Sequence, residues 1–160
     1  MAAKKKQAKT ATRKPAKRPA AKKRPTMKKR KQPEGLRVRS VGPGFTVKDI
    51  HKSLAWYRDV LGLVAGDKWE QDGKLMGVEM RAGHVVIWLG QDDWAKGRDR
   101  VYGVGVRIYC QTAQDVDMLA NGIKARGGVL DHDPKMQSWG TRDFGITDPD
   151  GYKITIASQG

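Results

Sequence analysis

Cysteine occurs once in the 160 residues, at Cys110. A single thiol excludes a disulfide framework and a thiolate zinc cage, and it fits a reducing compartment. No stretch approaches the roughly 18 consecutive apolar residues of a membrane-spanning helix, which excludes an integral membrane protein of that kind. Acidic residues are nearly missing from one region. Residues 1–35 hold a single acid, Glu34, against fifteen of the 32 Lys and Arg, a net charge of +14. The same stretch has no aromatic residue and no Leu, Ile or Val. It has nothing with which to bury a core, so it is expected to be disordered.

What is present divides the chain in two. The remaining 125 residues carry 17 bases and 16 acids, a net charge of +1. All five tryptophans fall there, too many for a chain disordered throughout. The length suits one domain, or two small halves sharing a core. The expected organisation is a basic tail over residues 1–35 and a nearly neutral globular domain over 36–160.

The tail alternates Lys and Arg with Ala, Thr and Pro, and prolines 15, 19, 25 and 33 break any helix it could form. It lacks the apolar segment of a secretory signal and the amphipathicity of a mitochondrial presequence. Fourteen net charges in 35 residues point to polyanions, most simply nucleic-acid phosphates. The candidate contacts are Lys4, Lys5, Lys6, Lys22, Lys23, Arg24, Lys28, Lys29, Arg30 and Lys31. Without a folded element to enter a groove, such contact is nonspecific. The competing reading is a solubilising appendage. The expected location is cytoplasmic, on the nucleoid, or nuclear in a eukaryote, where Lys22 to Lys31 would pass as a localisation signal.

In the globular part, Phe45-Thr-Val47 reads as a short strand and Asp49 as an N-cap. Ile50, Leu54, Tyr57 and Leu61 then form a helical stripe ended by Gly62. Leu63–Gln71 and Lys74–Arg81 read as strands around an Asp72-Gly73 hairpin turn, and His84–Leu89 as a further strand. After a polar loop at 90–100 the order repeats. Val101–Cys110 alternates as a strand, and Thr112-Ala-Gln-Asp115 resembles a capping box. Val116, Leu119, Ala120 and Ile123 give a second stripe, stopped by Gly127-Gly128. Val129–Asp131 opens a strand interrupted at Pro134, with Thr141–Thr147 and Tyr152–Ser158 as the last two around Asp148-Pro-Asp-Gly151. The expected class is α+β, a duplicated βαβββ unit with module one at 36–90 and module two at 101–160.

Two stretches carry a resemblance. Val47-Lys-Asp49 with Ser53-Leu-Ala-Trp-Tyr-Arg-Asp-Val-Leu-Gly62 resembles the first helix of the vicinal oxygen chelate superfamily, the glyoxalase, bleomycin-resistance and dioxygenase group. Trp139-Gly-Thr-Arg-Asp-Phe144 followed by Asp148-Pro-Asp-Gly-Tyr-Lys-Ile154 resembles its C-terminal signature. The resemblance implies two βαβββ modules whose mixed sheets curl around a cup, often completed by a homodimer. It also implies a divalent metal held by His and Glu at four strand positions. Those positions fall here on Gly42, Trp88, Gly105 (or Val104) and Thr155, none a strong ligand. No metal or other cofactor and no catalytic residue is therefore expected, and whether the chain is an enzyme is left open. His51, His84 and His132 read as structural, Cys110 as buried filler, and Arg142 as the partner of Asp148 or Asp150.

Strand alternation turns Val104, Val106 and Ile108 toward the helices, and Arg107 and Tyr109 toward the cup. The same argument sends Ile154 and Ile156 inward, and Lys153, Thr155 and Ala157 to the cup. Thr46, Trp88, Arg107, Tyr109 and Thr155 are the candidate ligand contacts, suited to a planar or anionic organic molecule. Trp94 and Trp139 are candidate rim aromatics. The competing reading is that Trp88 plugs the cup. The expected function is metal-independent binding of a small organic molecule, with a tail that holds nucleic acid. One alternative is a metal-dependent lyase, isomerase or dioxygenase with displaced ligands. The other is a nucleic-acid-associated protein that uses the domain only to dimerise.

Overall fold

The computed structural model describes residues 38–159. The tail, its candidate contacts and the expected boundary at residue 35 lie outside the described residues. The first module runs β1 (Gly44–Val47), α1 (Ile50–Ala55), β2 (Val64–Gln71), β3 (Lys74–Ala82) and β4 (Val85–Gln91). The second runs β5 (Arg107–Thr112), α2 (Val116–Ala125), β6 (Leu130–Met136), β7 (Thr141–Thr147) and β8 (Lys153–Gln159). Each module is a four-stranded mixed sheet, ordered β1-β4-β3-β2 and β5-β8-β7-β6. The first strand of each pairs parallel with the last, and the others antiparallel. This is the expected α+β duplication. No helix among the described residues is long and apolar enough to cross a membrane.

Local chemistry accounts for the elements. The Asp49 carboxylate accepts from the backbone N–H of His51 and Lys52, the free donors of a first helical turn. After Ala55 the helix loosens into a π-helical turn, Trp56–Val60, which keeps Tyr57 fully buried. Asp72 and Gly73 both adopt positive φ, 50° and 70°, as a two-residue type I′ turn demands. In α2 the cap is Asp115, which accepts from Asp117 and Met118 N–H, while the Thr112 hydroxyl bonds only Gln114, accepting from its N–H and donating to its Oε1. The N-cap therefore lies three residues after the expected Thr112, as a single cap without the reciprocal bond of a box. Asp115→Ala should cost about 1 kcal/mol, the usual loss of an N-cap, read as a lower denaturant midpoint at unchanged slope.

Two strands differ from expectation. Only Arg107–Thr112 of the stretch from Val101 pairs as strand. Residues 101–106 turn instead, with Gly103 and Gly105 at φ of 70° and 73°. Val104 and Val106 stand exposed rather than against a helix, at 75% and 43%. Gly103 is needed there, because a Cβ would lie 2.2 Å from the Gly151 carbonyl oxygen. At β6 the strand continues through Pro134, so His132 sits in a strand and not in a loop. Register shifts on both sides of His132 take up the proline.

One core serves both modules. Val47, Ile50, Tyr57, Val78, Met80 and Leu89 from the first join Val116, Ile123, Phe144, Ile146 and Ile154 from the second. Polar contacts then stitch the modules at the Asp148–Gly151 turn. Tyr57 Oη donates to Asp148 (2.9 Å), Ser53 Oγ and Lys48 N–H donate to Asp150 (3.0 Å each), and Tyr152 Oη donates to the Thr46 carbonyl (3.0 Å). The rings of Phe45 and Tyr152 stack with centroids 4.1 Å apart. Arg142 pairs with Asp117 on α2 at 2.7 Å, not with Asp148 or Asp150, because its strand position turns it onto the helix face.

Candidate functional site

Helix α1 packs on β3 and β4, and α2 on β6, β7 and β8, so each sheet has one covered and one open face. Alternation decides which residues reach the open face. In β8, Ile154 is buried in the core, and Thr155 on the opposite side is covered as well, 4% exposed. In β5, Ile108 packs against the core, leaving Arg107 and Tyr109 on the same side as Thr155. Arg107 Nη1 donates to Thr155 Oγ1 at 2.9 Å, and Tyr109 is the register partner of Thr155. Tyr109 remains 68% exposed. Beside Arg107, an open cleft of about 640 Å³ is lined by Val101, Tyr102, Val104, Val106, Thr147 and Lys153. Arg107 and Lys153 are direct register partners, so the cleft meets two cations and an apolar collar.

Further along the same face, Asp143 is buried and accepts from Gln137 at 2.7 Å. His132 Nε2 lies 3.9 Å from that carboxylate. Thr155, Gly145 and His132 are successive register partners, so small residues separate Tyr109 from the His132 ring. His51 and His84 are exposed on the first module. Cys110 is half-buried in β5, and burial pushes its thiol pKa up, away from reactivity.

The other two sequence candidates lie on the first sheet. Trp88 sits between Ile87 and Leu89, both buried, and so projects from the open face, 48% exposed. Thr46 is two positions along the neighbouring strand, opposite Gly90. The structure thus gathers Arg107, Tyr109 and Thr155 on one sheet, and Thr46 and Trp88 on the other. No hydrogen bond or ring contact among the described residues joins the two groups. Trp94 belongs to the loop after β4, where Arg98 lies over its ring, and Trp139 to the exposed β6–β7 turn. That loop is pinned by buried Asp92, which receives Tyr102 Oη and Arg100. Burial alone would raise the Asp92 pKa, but the bonds from Tyr102, Trp94 N–H and Arg100 hold it below the usual range.

Sequence reasoning missed Glu79, Arg81 and Trp69 on the first sheet's open face. Glu79 lies opposite Trp88 and pairs with Arg81. Trp69 covers Gly77, whose Cβ would lie 3.2 Å from the indole. The alternation of Val78 and Met80 could have flagged Glu79. Trp69 was hidden by register shifts in β2 that change its facing.

A family model for the glyoxalase/bleomycin resistance protein/dioxygenase superfamily matches residues 40–156. The chain belongs to this superfamily. Solved structures share its fold at low identity. A glyoxalase-related enzyme from Clostridium phytofermentans is 20% identical at a TM-score of 0.62, covering 79% of this chain and 98% of that one. A superfamily member from Sphaerobacter thermophilus DSM 20745 is 24% identical at 0.62, covering 77% and 99%. TioX from Micromonospora sp. ML1 is 14% identical at 0.62, covering 74% and 97%. No curated relative matches the sequence.

The metal that the superfamily implies does not fit the residues present at its positions. Gly42 and Trp88 offer no ligand atom, and a Cβ at Gly42 would already meet the Val86 carbonyl at 3.0 Å. Gly105 is in a turn rather than a strand. Thr155 offers one hydroxyl, which accepts from the Arg107 guanidinium. The Arg107 guanidinium thus sits beside Thr155, one of the four positions.

Proposed function

We propose that the domain binds a small organic anion over the open face of its second sheet, without metal chemistry. The observation that carries this reading is the Arg107–Thr155 hydrogen bond at 2.9 Å. It uses one guanidinium N–H and orients the remaining donors, which suit a carboxylate or phosphate oxygen. Lys153 adds a second positive charge, and Tyr109 and the three nearby valines supply surface for an apolar or planar body. Thr46 and Trp88 extend the reading to the first sheet. A homodimer that covers these faces belongs to the same proposal.

The test is titration of the full chain with a panel of aromatic carboxylates, followed by calorimetry. Binding should weaken about tenfold or more in Arg107→Ala, the usual loss of a charge-assisted hydrogen bond. Arg107→Lys should restore only part of it, since an ammonium cannot form the planar fork. Binding that ignores both substitutions, or no binding by any member of the panel, would overturn the reading.

The basic residues of the tail carry a second role, nonspecific contact with nucleic-acid phosphates. It is supported by their segregation, +14 in residues 1–35 against +1 in the rest.

A further inference from the structure

The open face of the first sheet carries a second, chemically different place. Its floor is Gly90, which presents no side chain, while its register partner Gly77 is already covered by the Trp69 indole. Trp69 leans over Gly77 on one side. Trp88 stands on the Gly90 strand one row along, opposite Glu79, its indole edge within 3.7 Å of where a Gly42 Cβ would be. Both indoles are largely open, at 61% and 48% exposure. Between them is Glu79, whose side chain is only 8% exposed. One of its oxygens accepts from Arg81 Nε, and the other has no hydrogen-bond partner among the described residues. The Arg81 bond holds the carboxyl below its usual pKa, so Glu79 is an acceptor and never a donor near neutral pH.

A flat glycine floor, two indoles and one carboxylate oxygen define a ligand by their chemistry. The ligand must be planar and aromatic to lie against tryptophan. It must also present an N–H donor to satisfy the free oxygen of Glu79. We propose that this slot takes an amino-substituted heteroaromatic ring of the nucleobase kind. The inference rests on reading the open faces as ligand surfaces, but it uses none of Arg107, Tyr109 or Thr155. Such a ring could come from a free nucleoside or from a base in a single strand held by the fourteen net charges of the tail.

Cytidine and uridine separate the hydrogen bond from the stacking. Their rings are alike in size, but at one edge cytidine carries an amino donor and uridine a carbonyl acceptor. Cytidine should quench the tryptophan fluorescence of the full chain saturably, and uridine should need about a tenfold higher concentration. Trp69→Ala, at a position 61% exposed, should weaken cytidine about tenfold. Glu79→Gln should bring the two nucleosides within about twofold, because an amide can serve either edge. Thermal unfolding of Glu79→Gln checks that its fold is intact. If it is not, the Trp69→Ala result decides.

Short oligo(dC) and oligo(dU) extend the test. Discrimination by both nucleoside and strand identifies the base itself as the ligand. Discrimination by the strand alone, erased in Glu79→Gln, makes the strand its source. Equal response within both pairs, cytidine with uridine and oligo(dC) with oligo(dU), no quenching by any probe, or undiminished binding in Trp69→Ala would overturn the proposal. The Arg107 variants leave this readout untouched, so failure here and failure of the anion site are distinguishable.

Discussion

Removing residues 1–35 should abolish binding of duplex DNA by this protein. The remainder carries only +1, too little to hold phosphates in physiological salt. For the full chain, neutralising about eight phosphates gives a log–log salt slope of roughly −7, since each contact contributes about −0.9. Affinity should barely depend on sequence, because a contact made to phosphates reads no base edges. Filter binding or anisotropy at several salt concentrations reads both quantities. A slope near −2, or undiminished binding after truncation, would assign the contact to the folded domain instead.

The second large effect is expected at Tyr57. Its side chain is fully buried at the junction of the modules and its hydroxyl donates to Asp148. Burial, with the Asp148 charge beside it, drives the phenol pKa upward, so it stays a donor. Burial also raises the Asp148 carboxyl, which the Tyr152 N–H, the Tyr57 hydroxyl and the Asp150 N–H counteract. Tyr57→Ala removes an aromatic ring from the shared core and should cost about 3–5 kcal/mol. Tyr57→Phe keeps the ring and removes one donor from a buried carboxylate, at about 1–2 kcal/mol. Urea unfolding of the two variants separates packing from hydrogen bonding. Equal losses would mean that the hydroxyl carries the junction.

Much of this was legible in residue order. Asp49, the Asp72-Gly73 turn and the two apolar stripes each fix an element by local chemistry, and the structure places them where those signals fall. The alternation of β5 and β8 put Arg107, Tyr109 and Thr155 on one side, because those strands pair without a bulge. The first sheet was harder to read. Two register shifts in β2 change the facing of Trp69, and no local residue announces them. Val101–Val106 alternates like a strand, yet glycines 103 and 105 turn it away from the sheet. Pro134 reads as an interruption, but β6 absorbs it with an irregular register instead. Each of these differences arises from pairing with a distant strand, which a single segment does not encode.

The stitching at the Asp148–Gly151 turn has a consequence for the growing chain. Tyr57 and Asp148 are 91 positions apart, and Thr46 and Tyr152 are 106. On the ribosome the first module is complete at Gln91, long before its partners in the last hairpin have been made. Until Tyr152 emerges, Phe45 has no stacking ring and Tyr57 no acceptor. The early half must therefore wait with an apolar flank uncovered. A nascent chain stalled between residues 91 and 148 should be the form most readily captured by a holdase chaperone.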